Sequence, residues 1–409
     1  MTTELRVLDE SAWDTWFDTL KWAFGGHPEI AERRALWREV TEIDRSLAMW
    51  DGDRVVGTTG TFSFRLSVPG GSLVRTGALT MVSVAATHRR QGILRRMMRR
   101  QLDDVRAAGE PLAILTASEP VIYGRFGYGL ATQYVAARLD TGRVGLRLPE
   151  GTGEVRLSVA EPSEVSGRCE ELYARQVPCR PGMLARSPGW TKVQFADPED
   201  ERRGASPLRA LLAERDGELT GYALYNMKPE WERGGPSGVV QVRALEAAGP
   251  ADHAALLRFL CGIDLMTSVR LSDRPVDDAF LHLVTDTRRC ELELGDSLYL
   301  RPVEVGAALA ARSYSTDIDV VLEVSDAFCP WNEGRWHLSG GPKGAVCEPT
   351  RDPADLVLSA NELGSAYLGG FSLTALASAG RVREVRPGAL AAASTAFTSP
   401  VAPWLPHGF

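Results

Sequence analysis

The alternation of apolar and polar positions divides the chain into short periodic blocks. Leu5–Leu8 reads as a strand, and Trp13, Trp16, Phe17, Leu20 and Phe24 recur at helical spacing. Such a stripe is ordinarily core. It ends, however, in a glycine-broken aromatic loop whose Trp22, Phe24 and His27 are of the kind that makes substrate contacts at a cleft. A second helix runs from about Pro28 to Val40, with proline in a favoured first turn. Ser46–Trp50 and Val55–Val68 are strand patterns joined by Asp51-Gly52, a hairpin signal. Leu73–Leu79 and Thr80–Ala85 continue the strands. After Gly92, residues Leu94, Met97, Met98, Leu102 and Val105 form an apolar stripe, with Arg95, Arg96, Arg99 and Arg100 on the opposite side. A further strand and a short helix lead to Gly129.

Beyond Asp140 the pattern loosens, and residues 142–153 are Gly/Arg-rich, as in a linker. A second unit then repeats the order of the first. It has a helix over Ser163–Arg175, an Asp216-Gly217 hairpin between Leu208–Glu214 and Leu219–Met227, a strand Val239–Ala244, a helix Ala251–Cys261 and a strand Met266–Leu271. Its strand-to-helix turn, Glu246-Ala-Ala-Gly-Pro250, carries an acid and no arginine, so a phosphate is expected to be repelled there. From Glu291 strands (Glu291–Leu300, Ile318–Val324, Gly334–Leu338, Leu356–Leu358) intersperse with helices (Val303–Arg312, Ala360–Leu368, Leu373–Ala379, Gly388–Phe397), as in an α+β domain.

The anomaly is the start of the arginine helix. Arg89 and Arg90 crowd an end that already carries partial positive charge, where each cation loses about 0.3–1 kcal/mol unless an anion intervenes. Gly92 keeps side-chain bulk away, so several N–H groups can converge on a phosphate. These residues point to a pyrophosphate site. The competing reading is a solvated arginine face. Nucleic acid is disfavoured, because the net charge is −7 and few aromatics interleave with these arginines.

Composition narrows the picture further. With 409 residues, 44% hydrophobic and 24% charged, the chain suits two or three ordinary globular domains. Cys169, Cys179, Cys261, Cys290, Cys329 and Cys347 are scattered without a C-x-x-C pair, which fits reduced thiols in a cytoplasm and offers no zinc site. The histidines are equally dispersed, so no metal is expected. The N-terminus lacks a basic start followed by an apolar core, and no apolar run approaches ~20 residues. No signal peptide and no membrane contact are therefore expected.

The R-x-x-G-x-L pattern at Arg89, Gly92 and Leu94 is weak alone. Flanked by a strand, an amphipathic helix, a second strand and a Tyr-bearing turn, it resembles the acyl-CoA signature of the GNAT (GCN5-related) N-acetyltransferases. VAATHRRQGILRRM, TASEPVIYGRFGYG, HLVTDTR, SAYLGG and an aromatic C-terminus are similar to one branch, the enhanced intracellular survival (Eis) acetyltransferases, over nearly the full length. The resemblance implies a mixed α/β, α+β chain. It would comprise a catalytic GNAT domain over 1–140, a degenerate GNAT copy over 150–288 and a sterol-carrier-protein-like domain over 289–409. It also implies acetyl-CoA as cosubstrate, a small-molecule amine acceptor, aminoglycosides among the family's acceptors, and a homo-oligomer, hexameric in the family.

Residue by residue, the resemblance has Val82, Ser83 and Val84 offering backbone groups to the pantetheine arm. Arg90, Gln91, Gly92, Ile93, Leu94 and Arg95 ring the pyrophosphate, and Ser118 with Glu119 forms a third CoA-contacting pair. Tyr123 takes the general acid's place, although an aromatic in a Gly-rich turn is more often packing. Phe126 and Tyr128 read as core. The base is the α-carboxylate of Phe409, with His407 an alternative because imidazole titrates near neutral pH. One departure concerns the acceptor: Gly408 stands where aminoglycoside-acetylating members carry an acid, and the Phe24–His27 loop offers no carboxylate until Glu29. The competing class is a lipid- or small-molecule-binding protein that uses the C-terminal domain beside a vestigial acetyltransferase unit. The intact basic turn argues against it.

Overall fold

The computed structural model describes residues 3–26 and 30–409. The first unit contains β1 (Glu4–Val7), α1 (Trp13–Ala23), α2 (Ala31–Val40), β2 (Leu47–Asp51), β3 (Arg54–Ser67), β4 (Leu73–Val84), α3 (Ile93–Ala107), β5 (Leu112–Thr116), β6 (Gly129–Leu130) and β7 (Gln133–Asp140). The α1 stripe is core: Trp13, Trp16, Phe17 and Leu20 are buried, and the Trp16 indole donates to the Leu47 carbonyl at 2.9 Å. The α3 stripe buries Ile93, Met97, Met98, Leu102 and Val105 against the sheet. Gln101 shares that face and is satisfied there by the hydroxyls of Thr59 (2.8 Å) and Thr61 (3.0 Å).

Two features of this sheet shape the site. β4 and β5 are parallel, but their ladder covers only Thr76–Leu79 against Leu112–Leu115, after which the strands part. Just beyond, the register of β4 against β3 shifts at a bulge where Met81 takes a positive φ of 52°.

The units exchange strands. The first sheet runs β1-β2-β3-β4-β5, then takes in Leu298–Pro302, and closes with β6. The strand expected as one piece over Glu291–Leu300 is split in two. Glu293–Asp296 pairs with β7 in the second sheet, and Leu298–Pro302 pairs with β5 and β6 in the first. β7, ending at the expected boundary of 140, pairs with Met266–Pro275 rather than with its own unit's sheet. The second sheet repeats the parallel pair of the first, with Gly238–Ala247 beside Met266–Pro275. A helix over Pro188–Phe195 and a strand over Gly344–Pro349 also form, which the periodicity does not mark.

The third unit is a five-stranded mixed sheet with helices packed on it. Its interior is filled by Tyr314, Tyr367 and Phe397 around the fully buried Arg312, whose guanidinium donates to the carbonyls of Ser313, Tyr367 and Phe397. The helix Ala360–Ala366 starts in a capping box made by Ser359 and Glu362. It lies on the exchanged strand so closely that a Cβ on Gly364 would collide with the Leu300 carbonyl. Among the described residues no helix is long and apolar enough to cross a membrane.

Arg301, on the exchanged strand, has no exposed surface. It pairs with Asp326 at 2.5 Å and donates to the Phe126 carbonyl in the turn that carries Tyr123. Asp326 also accepts from the Cys329 amide (2.9 Å) and the Asn332 side chain (3.0 Å). Removing one partner of a buried pair strands the other charge. Asp326→Ala is expected to cost about 3–5 kcal/mol, measured as a lower denaturation midpoint. A variant as stable as the native chain would mean that water reaches Arg301.

Candidate active site

The parting of β4 and β5 opens a cavity of about 370 Å³. β4 contributes Leu79, Thr80, Met81 and Val82; the end of β5 and its loop contribute Thr116 and Ser118; and Tyr123 closes one side. α1 and α2 add Phe17, Leu20, Lys21, Phe24 and Trp37, and Phe409 enters from the far end of the chain. The Thr80 hydroxyl donates to a carboxylate oxygen of Phe409 at 3.1 Å, and the Phe409 ring rests against Phe64 with centroids 5.7 Å apart.

Tyr123 sits on the short 3₁₀ turn Pro120–Phe126, its ring edge-on to Tyr128. Burial, and secondarily the Glu119 carboxylate, push its phenol above the usual value, so it holds its proton at neutral pH. Phe126 and Tyr128 are buried, at 3% and 1% exposure.

Behind β4 lies the arginine turn. Arg90 (φ 62°) and Gly92 (φ 78°) are both left-handed, and a Cβ on Gly92 would meet nothing within 4 Å. Gly92 therefore supplies backbone conformation and an open approach. His88 fixes the preceding loop through Asp51 (3.1 Å) and Thr87 (2.8 Å). The first amide donating back into α3 is that of Arg96, to Gly92. Among the described residues the amides of Gly92, Ile93, Leu94 and Arg95 have no backbone acceptor, so this helix start has N–H groups that could meet an anion. Arg89, Arg90 and Arg95 are exposed around it.

The rest of the arginine face is not simply solvated. Arg99 stacks on Phe328 at 4.1 Å, Arg106 stacks on Trp331 at 4.4 Å and pairs with Glu304, and Arg96 holds Thr3 (2.7 Å). Nothing in the sequence shows these partners, which come from the third unit and the N-terminus.

Of the other candidates, Ser83 is buried with its hydroxyl engaged by Thr58 at 2.7 Å, leaving only backbone to offer. Val84 packs with Ile93 and Met97. Ser118 reaches the cavity, and Glu119 stands exposed beside it. Phe24 lines the cavity while 56% exposed. Trp22 is 77% exposed and does not line it, and His27 lies outside the described residues. The reading of Trp22 as a cleft residue misses Trp37 and Lys21, because only the fold shows which helix faces point inward.

The tail reaches the cavity along the second unit. The Ala402 amide donates to Asp277 (2.8 Å) and its carbonyl accepts from Arg180 (2.6 Å), while Arg180 and Asp277 pair with each other. The Trp404 amide bonds the Pro181 carbonyl, its indole bonds the Asp273 carbonyl at 2.5 Å, and Arg274 lies over its ring. Trp404 and Pro406 occupy the gap beyond the second parallel pair, leaving about 20 Å³, room for about one water. Glu246 faces this gap. The sequence pattern places it in the turn, but it lies on the strand Gly238–Ala247, 6% exposed, with burial pushing its carboxyl up to about 7.

His407 is buried between Tyr173 and Trp190, with Nδ1 on the Gly408 carbonyl and Nε2 unpartnered; it does not line the cavity. Burial, with Arg186 nearby, lowers its pKa from 6.5 to about 3.

Comparison with known proteins assigns this arrangement a class. An acetyltransferase (GNAT) domain family matches residues 4–131, a second GNAT domain family matches 182–301 and a sterol carrier protein domain family matches 305–406. The protein is an N-acetyltransferase with two GNAT units and a sterol-carrier-like unit, and enzymes of the GNAT class use acetyl-CoA. It is 59% identical over 409 residues to an uncharacterized N-acetyltransferase of Streptomyces avermitilis, covering 100% of both chains. It is 34% identical over 381 residues to the N-acetyltransferase Eis of Mycobacterium tuberculosis, covering 90% of each. The Eis1 crystal structure from Mycobacterium abscessus superposes with a TM-score of 0.84 at 32% identity, covering 100% of both chains. The chain belongs to the Eis family of N-acetyltransferases.

The depressed pKa of His407 makes stability depend on pH. Above 6.5 the ring is neutral in both states and its contribution is fully present. As pH falls from 6.5 toward about 3 only the unfolded chain gains the proton, so stability is lost. Between about pH 7 and 5 the denaturation midpoint of His407→Gln is expected to fall less than that of the native chain. Equal slopes would show that the ring is solvated.

Proposed function

We propose that the protein transfers the acetyl group of acetyl-CoA directly to a primary amine, with the Phe409 α-carboxylate as base and the Tyr123 phenol as acid. One observation carries the reading: both groups line a single cavity where β4 and β5 part. An ammonium bound there gives a proton to the Phe409 carboxylate, and the neutral nitrogen attacks the thioester carbonyl. The C–N bond forms, the C–S bond breaks, the departing thiolate takes the Tyr123 proton and the acetylated nitrogen gives its surplus proton to solvent. The proton left on Phe409 returns to solvent, and the phenolate is reprotonated from it. No covalent enzyme intermediate is required.

As a phenol Tyr123 arrives protonated, as an acid must, while the burial and the Glu119 carboxylate that raise its pKa make it a weaker donor that has to act on a strongly basic thiolate. Thr80 supports that of Phe409 by fixing one carboxylate oxygen and leaving the other for the amine. In this reading Val82, Ser83 and Val84 present backbone to the pantetheine arm past the end of the β4–β5 ladder, and Ser118 and Glu119 flank the opposite strand. The unpaired amides and arginines from Arg90 to Arg95 take the pyrophosphate. Each residue type suits the part of the cosubstrate it would meet, with free N–H groups and cations for phosphate and main chain for the amide-bearing arm.

Tyr123→Phe removes one hydroxyl and almost no volume. Its kcat should fall by about 10²–10⁴-fold, as loss of a general acid does, with the KM for acetyl-CoA little changed. A near-native kcat would return Tyr123 to packing.

Adding one glycine after Phe409 shifts the charge by up to ~3.5 Å while the ring can stay against Phe64. Displacements of ~1 Å can already cost about 10²-fold, so activity should collapse with the melting temperature nearly unchanged. An extended chain of undiminished activity would remove the carboxylate from the mechanism.

A further inference from the structure

One ring of the third unit lies between the two parts of the site that the proposed chemistry must align. Phe328 is 5% exposed and follows the strand Ile318–Ser325. On one side it meets the Phe126 ring edge-on, with centroids 4.9 Å apart. On the other it carries two guanidinium groups of α3, that of Arg99 at 4.1 Å and that of Arg95 at 5.6 Å.

Each contact reaches beyond itself. Tyr123 and Phe126 share the turn Pro120–Phe126, and side chains three positions apart on a 3₁₀ turn lie one above the other. The place of the Phe126 ring therefore bears on that of the phenol. Arg95 and Arg99 are one helical turn apart on one face of α3. Arg95 stands exposed beside the amides that lack a backbone acceptor. A guanidinium held over a ring has fewer rotamers open to it, so its donors are oriented before an anion arrives.

The ring is itself fixed from both ends of its loop. Asp326 pairs with the buried Arg301 at 2.5 Å and accepts from the Cys329 amide at 2.9 Å. The Trp331 indole donates to the Val303 carbonyl at 2.8 Å. Arg301 in turn donates to the Phe126 carbonyl, so the loop holds Phe126 through both its main chain and its ring.

We infer that Phe328 is a positioning residue for acetyl transfer. Its ring fixes the turn of the acid relative to the arginines that meet the pyrophosphate, and so aligns the phenol with the thioester. The inference rests on the roles proposed for Tyr123 and for Arg90 to Arg95.

The test follows acetyl transfer from acetyl-CoA by the full-length protein to hexylamine, phenethylamine, spermidine or kanamycin, using whichever is turned over fastest. Phe328→Leu removes the ring and keeps an apolar side chain. Phe328→Met, whose flexible chain fills gaps more readily, replaces it if the leucine variant does not fold. The expected result is a kcat about tenfold to a hundredfold lower, as small misplacements of a reacting group produce, with a several-fold higher KM for acetyl-CoA. Leu338→Ala empties a different part of the third unit's core and controls for lost stability. It should lower the melting temperature at least as much and leave both constants nearly native. In a Tyr123→Phe background the effect of Phe328→Leu on kcat should vanish, because the acid that the ring orients is gone. Four results overturn the positioning role and leave acetyl transfer standing: native kinetics in the ring variants, kinetics matching those of Leu338→Ala, a kcat loss that persists in full in Tyr123→Phe, or failure of both ring variants to fold. A near-native kcat for Tyr123→Phe, or no transfer to any of these amines, overturns the underlying reading as well.

Discussion

The proposed chemistry depends on holding Phe409 beside Thr80, a partner 329 positions earlier. A chain terminus left to itself frays, and a reactive group displaced by ~1 Å loses much of its effect. The molecule meets this constraint with anchors spaced along the tail. Ala402 is bound at both its amide and its carbonyl by Asp277 and Arg180, Trp404 is bound at amide and indole, His407 is wedged between two rings, and Phe409 is bound by Thr80. Pro403 and Pro406 lie between these anchors, with φ already fixed and no N–H to satisfy. The close fit is visible at Gly182, where a Cβ would come within 2.8–3.0 Å of the Trp404 backbone.

A second tie acts on the opposite wall. Leu298–Pro302 belongs by sequence to the later part of the chain, yet it completes the sheet that bears the cavity. Its Arg301 joins the turn of Tyr123 to Asp326 in the third unit. Such a pair adds little net stability, since two desolvation costs offset most of the attraction. What it adds here is position: a guanidinium held by Asp326 leaves the Phe126 carbonyl one place to be. In the proposed chemistry, acid and base are thus both oriented by residues outside the first GNAT unit.

This division explains what could be read from the sequence. Local signals were legible: the α3 stripe, the Gly92 helix start, the Asp51-Gly52 hairpin and the burial of Phe126 and Tyr128 all follow from spacing and residue type. Pairings across hundreds of residues were not. β7 and Leu298–Pro302 have ordinary strand compositions, and nothing in them records which sheet they join. Arg99 looks like a solvated residue because Phe328, which covers it, lies more than two hundred positions away. Glu246 looks like a turn residue because its strand runs on further than the apolar pattern does, and its burial is a property of the tail packed over it.

The two GNAT units use one geometry in two ways. A parallel pair that parts after a few rungs leaves main-chain groups unpaired along the gap, and these must be satisfied by something. In the first unit the gap opens onto the cavity, backed by a glycine-started helix with free amides. In the second, the matching gap receives the protein's own Trp404 and Pro406, and the Asp273 carbonyl left by the departing strand is taken by the Trp404 indole. The helix behind it begins with Pro250, which has no N–H to offer a phosphate, and its Asp252 is engaged by Arg215 at 3.0 Å and Thr220 at 2.8 Å. The gap therefore grips the segment that leads to Phe409, through the Trp404 side chain. That gives the second unit a physical role in positioning the tail, which accounts for a gap that remains open to a chain although the helix start behind it has no arginines.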